Sequence, residues 1–247
     1  MASSPSARGD GRSESPLVRR GVSLDWLVRW TSELELWNVP THVVVKKLVV
    51  PATSKDKKPY CTLLSDVDTG RADIFLSHGW GNRFGLIVAT ARKFASKRKT
   101  KGSIFLWIDI FAVTQHPGED QIFDLSQLEM VIEDTTTTLM VLDRNGLPLS
   151  RCWCLFELFV TIKCGAFGKL QIRVGELTDS YGGFSPISDP DLLRSLSSEI
   201  DLTRAEATLP QDKKMILSRI KELDKGHRSG IDEFVRKVKR CTRHGWS

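Results

Sequence analysis

The chain has 247 residues, 40% of them hydrophobic and 27% charged, and a formal net charge of +6. This composition suits one large globular domain, or one domain with appendages, and the lack of any run of eighteen apolar residues argues against a membrane-spanning helix. The charge is uneven: from Thr203 onward twelve Lys/Arg stand against six Asp/Glu, and a second basic run spans Arg92 to Lys101. Aromatics are sparse in both, Phe234 and Trp246 in the former and Phe94 in the latter. That argues against nucleic acid as a partner and leaves a protein or an anionic surface docking on basic C-terminal helices.

Residues 1–20 are rich in Ser, Arg, Pro and Gly and read as a disordered tail. An organelle transit peptide has a similar composition, but Asp10 and Glu14 count against it. Residues 21–71 read as an extension packed on the core. In it Leu24, Leu27, Trp30 and Leu34 form a helical stripe starting at Ser23 or Gly21, and VVVKKLVVPAT (43–53) reads as a β-rich run ended by Pro51.

From residue 72 to 175 the pattern changes to short apolar runs: DIFLS (73–77), IFLWID (104–109), TTTLMVLD (136–143) and LQIRV (170–174). Their starts lie 31, 32 and 34 residues apart, the length of a βαβ unit. Continuous apolar strands are what a parallel sheet covered on both faces requires. Between them, Phe84, Ile87, Val88, Ala91 and Phe94 form one helical stripe, and Ile122, Leu125, Leu128 and Ile132 a second. Residues 150–164 make a third helix, closed by Gly165. The predicted class is α/β, a flavodoxin-like doubly wound parallel sheet of four to five strands with extra N- and C-terminal helices.

Residues 176–247 read as a loop and a basic helical extension. GELTDSYGGFSPISDP (175–190) is loop-like, and Asp189-Pro190 looks like an N-cap followed by proline in the first turn. A helix with Ile216, Ile220 and Leu223 follows Pro210, and Ile231, Phe234, Val235 and Val238 mark a last amphipathic helix. The five cysteines, at 61, 152, 154, 164 and 241, form an irregular odd set and read as reduced thiols of a cytoplasmic protein. Their spacing fits no zinc knuckle, and no metal is expected.

Ligands of an open parallel sheet bind outside the carboxyl ends of the strands. Those ends are Ser77-His78-Gly79-Trp80-Gly81, Asp109-Ile110-Phe111 and Asp143-Arg144-Asn145-Gly146. The glycines at 79, 81 and 85 resemble a dinucleotide fingerprint, but the third is one residue late and Trp80 and Phe84 would crowd a pyrophosphate. Ser77, His78 and Asp109 could suggest a hydrolase, yet adjacent Ser and His point to opposite faces and no G-x-S-x-G elbow is present. Glu157 is the anomaly. It sits in the apolar run SRCWCLFELFVTIK (150–163), and its helical neighbours Trp153, Cys154, Val160 and Thr161 carry no positive charge. An unpaired buried carboxylate is costly, so either a distant Arg or Lys pairs with it or it faces a cleft.

The order DIFLSHGWG, IFLWID, LEMVIEDTTTTLMVLD, LSRCWCLFELF resembles a TIR (Toll/interleukin-1 receptor) domain. The plant-type form is most similar, through Ser150 and the block Trp153-Cys154-Leu155-Phe156-Glu157-Leu158. The flanks, with VVPAT (49–53) and RAEATLPQDK (204–213), resemble uncharacterised algal and oomycete proteins. The TIR resemblance implies cleavage of NAD⁺ at the nicotinamide–ribose bond, in signalling or defence, with NAD⁺ as substrate and no cofactor. It implies Glu157 as the catalytic residue, and Ser77, His78, Gly79, Trp80, Asp109, Phe111 and Trp153 as shaping the nucleotide cleft. It also places the family's self-assembly loop at IFAVTQHPGEDQ (110–121) and implies self-association. A non-enzymatic interaction module that signals by assembly is the alternative. Bland roles stand beside these: packing for Trp80, Trp107 and Trp153, turn-capping for Asp109, and incidental polarity for His78 and His116.

Overall fold

Short runs of strand-forming residues alternating with helical stripes build three layers, a sheet between two sets of helices. The computed structural model describes residues 15–98, 102–198, 200–207 and 210–223. The strands are β1 (Gly21–Ser23), β2 (Thr69–Gly70), β3 (Ile74–Ser77), β4 (Phe105–Trp107), β5 (Thr137–Leu142), β6 (Leu170–Leu177) and β7 (Phe184–Pro186). The α-helices are α1 (Leu24–Glu33), α2 (Thr41–Val44), α3 (Val50–Ala52), α4 (Phe84–Ser96), α5 (Asp109–Ala112), α6 (Glu119–Ser126), α7 (Leu128–Asp134), α8 (Cys152–Lys169), α9 (Pro190–Ser198) and α10 (Pro210–Leu223). Strand order is β2-β1-β4-β3-β5-β6-β7.

The four strands read from the sequence, β4-β3-β5-β6, are parallel, and the order reverses between β3 and β5. Every residue of β3 and β5 is buried, which explains their unbroken apolar runs. Alternation along the strands divides the core in two. Ile74, Leu76, Leu106, Leu139 and Val141 face α1 and α4, while Phe75, Trp107, Met140 and Leu142 face α7 and α8. Phe75 and Trp107 stack there with ring centres 5.1 Å apart. Ser77 follows Phe75 by two residues, so it too points toward α8. Among the described residues no helix is long and apolar enough to cross a membrane.

Several local expectations change. Antiparallel β1, β2 and β7 widen the sheet beyond the predicted four to five strands; with two or three residues each, they are too short to show periodicity. The segment 175–190 is therefore a hairpin rather than a loop, its tip held by Asp179, which accepts from the N–H groups of Tyr181 and Gly183 at 2.8 Å. Residues 41–52 are helical, not β: burial of Val44, Val45 and Val49 against the α1/α4 core overrides β-branched propensity. A π-turn over Val45–Val49, closed by Val50 N–H to the Val45 carbonyl, immediately precedes Pro51, which has no N–H and would strain an α-turn.

Residues 16–20 form a 3₁₀ turn instead of disordered tail, because Leu17 and Val18 are buried and the Trp107 indole donates to the Leu17 carbonyl at 3.0 Å. The predicted stripe from Ile122 to Ile132 breaks at Gln127 into α6 and α7, which leaves Ile122 and Phe123 exposed, and Leu34 of the first stripe is exposed too. Helix α8 passes through Gly165 and ends at Lys169. The Asp189 cap holds: its carboxylate accepts from the N–H groups of Asp191 and Leu192. Residues 1–14 of the expected tail and the stripe from Ile231 to Val238 lie outside the described residues.

Candidate functional site

At the carboxyl edge of the sheet the anomaly of Glu157 is resolved by a serine. Ser77, the last residue of β3 and fully buried, donates from Oγ to Glu157 Oε2 at 2.5 Å, and Glu157 is itself only 8% exposed. The carboxyl group is thus held by a hydroxyl, which corrects the reading of a distant Arg or Lys partner. One turn earlier on the same helix face, the Cys154 thiol donates to the His78 carbonyl at 3.2 Å. One turn later, Thr161 bonds both the Glu157 carbonyl and Thr138 of β5, at 2.8 Å each. Helical spacing of Cys154, Glu157 and Thr161 therefore lays a polar stripe against the sheet.

Next to this pair sits a second group. Buried His78 has an Nε2 without a hydrogen bond, 3.7 Å from Asp109 Oδ1. Asp109 opens α5, where Oδ1 accepts from the Ile110 N–H at 2.8 Å and Oδ2 from the Trp80 indole at 2.7 Å. Trp80 is 36% exposed and forms the rim. Asp109 thus ties the start of α5 to the Trp80 indole.

Burial dominates the electrostatics. It pushes the Glu157 carboxyl well above the usual carboxylate range; the Ser77 hydroxyl acts against this and the Asp109 charge adds to it. The Cys154 thiol is likewise pushed well up, by burial and then by Glu157 and Asp109. Burial lowers the His78 pKa, with Asp109 opposing. Burial therefore favours the uncharged form of all three groups, the carboxylic acid, the thiol and the neutral imidazole.

A pH dependence follows. The raised Glu157 pKa contributes stability that is fully present below the unfolded carboxyl value and is lost as pH rises through the folded value. Glu157→Gln keeps an oxygen acceptor for Ser77 but cannot ionise. Its melting temperature relative to the unaltered protein is expected to be near equal at about pH 5 and increasingly higher toward about pH 9. The lowered His78 pKa acts oppositely, with stability lost as pH falls below the unfolded imidazole value, but it is common to both proteins and cancels. Parallel melting curves across the range would contradict a buried neutral Glu157.

Other predicted residues fall elsewhere. Phe111 is fully buried on the far side of the sheet, its ring 5.3 Å from Trp26 and 5.4 Å from Trp30, so it packs the core and does not reach the cluster. Trp153 is half-buried and turns to α10, donating to Asp212 Oδ2 at 3.1 Å. Gly79 belongs to the cluster's roof: a β-carbon there would lie 3.4 Å from Leu147 and 3.5 Å from Pro148, and one on Gly81 2.6 Å from Leu147. Gly85 lies against the backbone of Trp37, so the three glycines are explained by close packing rather than by a dinucleotide fingerprint. His116 bonds Thr53 at 2.9 Å, away from the cluster.

The roof was not visible in the sequence. Leu147 and Pro148 cover Gly79 and Gly81, and the C-terminal extension holds that loop down. Gly146, at φ +63°, lies under Leu196 of α9, and Glu206 exchanges two backbone hydrogen bonds of 2.8 Å with Ser150 and Cys152. A separate cleft of about 390 Å³ opens at the ends of β3, β5 and β6, lined in part by Asn82, Arg83 and the strand-end residues Asp143 and Arg144 named from the sequence, and by none of the residues assigned to catalysis or to the nucleotide cleft. No family model, no curated protein and no solved structure matches the chain.

Proposed function

We propose that this chain is a TIR-like NAD⁺ nucleosidase in which Glu157 acts on the nicotinamide–ribose bond. One observation carries the reading: the Ser77–Glu157 hydrogen bond at the carboxyl edge of the sheet, beside the strand-order reversal where such folds bind ligands. His78, Asp109 and Trp80 gather around it, and the exposed face of Trp80 offers a stacking surface for a base.

The chemistry suits a buried acid. Nicotinamide in NAD⁺ is cationic, and a cation beside Glu157 draws its pKa down and favours the carboxylate. The C–N bond then breaks with its electron pair leaving on nicotinamide, and the carboxylate stabilises the oxocarbenium-like ribose in a low-dielectric site. Water adds to the ribose carbon and loses a proton to give ADP-ribose; attack by a ring nitrogen of the adenine would give a cyclised product. Self-association belongs to the proposal, and Ile122 and Phe123, 68% and 54% exposed just after the 110–121 loop, supply apolar surface for it.

The roof of Leu147 and Pro148 favours a second reading, an assembly module in which Glu157 is purely structural. Incubation of the purified protein with NAD⁺, with and without a crowding agent, separates the two by chromatography of released nicotinamide. Release is the expected result, strongest under crowding. Its absence in every assembly condition transfers the function to the interaction module.

A further inference from the structure

The cleft at the ends of β3, β5 and β6 is independent of Glu157. Its volume of about 390 Å³ falls in the range of small-molecule sites. Asn82, 93% buried with a relative exposure of 7%, lines it, and its Nδ2 has no hydrogen-bond partner. Buried amide donors are rarely left unpaired, so this one has a hydrogen bond still to give.

The charges around the cleft are not equivalent. Arg144 and Glu176 neutralise each other through two hydrogen bonds, at 3.0 and 3.3 Å. Arg83 meets only the amide oxygen of Asn38, at 3.3 Å, and no carboxylate among the described residues lies within ion-pair distance of it. It is also the N-cap of the thirteen-residue α4, whose Phe84 N–H is taken by the Val39 carbonyl at 2.8 Å and whose Leu86 N–H is taken by the Arg83 carbonyl at 3.0 Å, so the donor this position turns to the cleft is the guanidinium. Asp143 spends one oxygen on the Leu147 N–H at 3.1 Å, and its other oxygen has no hydrogen bond among the described residues.

We propose that this cleft binds a small phosphate monoester that also carries hydroxyl groups, a mononucleotide or a sugar phosphate. The guanidinium of Arg83 and the amide of Asn82 supply donors from one wall. A guanidinium fork and an amide together carry more N–H donors than the two oxygens of a carboxylate would engage, which favours the three free oxygens of a phosphate monoester. Asp143 accepts from the hydroxyls. Neither Ser77 nor Glu157 lines the cleft, so binding here does not depend on the nucleosidase reading.

Calorimetric titration with AMP and with ribose 5-phosphate tests the site, with adenosine and inorganic phosphate as controls. At least one phosphate ester is expected to bind about tenfold or more tightly than either control, and the stronger of the two distinguishes a nucleotide from a sugar phosphate. Asn82→Ala and Arg83→Ala are each expected to weaken binding about tenfold, and Glu157→Gln to leave it unchanged. Should Arg83→Ala melt early, Arg83→Lys keeps the charge without the fork and is still expected to bind more weakly. Binding no tighter than the controls, affinity unaltered in both cleft variants, or affinity lost in Glu157→Gln but kept in Arg83→Ala would overturn the proposal.

Discussion

Gly85→Ala is expected to lower the melting temperature by about 6–12 °C. A β-carbon on Gly85 would stand 2.6 Å from the Cα and 2.8 Å from the carbonyl carbon of Trp37, and would also collide with its carbonyl oxygen. All three are backbone atoms, so no side-chain rotation relieves the overlap. Trp37 is 4% exposed and is flanked by the Arg92 guanidinium, 5.7 Å from its ring, and by Gly182. Helix α4 must therefore move off the 36–38 turn. Overpacking of this kind costs about 3 kcal/mol, and each kcal/mol corresponds to about 2–4 °C in a chain of this size.

Gly168→Ala is the matched control. It lies in α8 with nothing within 4 Å of its β-carbon position, and is expected to be neutral or to stabilise by about 0.5–1 kcal/mol. Thermal melts followed by circular dichroism decide. If Gly85→Ala melts within about 2 °C of the unaltered protein, the close approach of α4 to Trp37 is wrong.

How much of this was legible depended on range. The parallel core was readable because β3 and β5 are buried on both faces, and burial on both faces leaves an unbroken apolar run. The valines of residues 43–50 misled for the opposite reason. Their local preference is for strands, and only packing against distant α1 and α4 makes them helical. Glu157 was conspicuous as a charge without a helical partner, and Ser77 as a strand end, so both members of the pair could be named. Their contact spans 80 positions in the chain, and nothing local encodes it.

The same limit hid the roof. Leu147 and Leu196 are ordinary apolar residues in sequence and acquire meaning only by lying on Gly79, Gly81 and Gly146. Phe111 was misassigned because a strand end points to the site on average. Here the chain turns directly into α5, and the ring swings into the aromatic cluster with Trp26 and Trp30. Trp153 failed similarly: α10, some 60 residues later, supplies the carboxylate of Asp212 that its indole bonds.

Glu157→Gln carries the largest functional effect. The amide keeps the size of the side chain and an acceptor for the Ser77 hydroxyl, so the hydrogen bond that ties α8 to β3 survives. It cannot ionise, and so cannot answer the positive charge that builds on ribose as nicotinamide leaves. Removing one preorganised electrostatic contact of this kind slows turnover by about 100-fold or more. Destabilisation is not expected, since the neutral amide suits a buried site at least as well as the acid.

The decisive measurement is nicotinamide released from NAD⁺ by the unaltered protein and by Glu157→Gln, side by side, at matched folded concentration under crowding. The account predicts steady release by the former and a loss of about 100-fold or more in a variant that melts no lower. Equal release by both, or release lost only because the variant has unfolded, would contradict a catalytic Glu157.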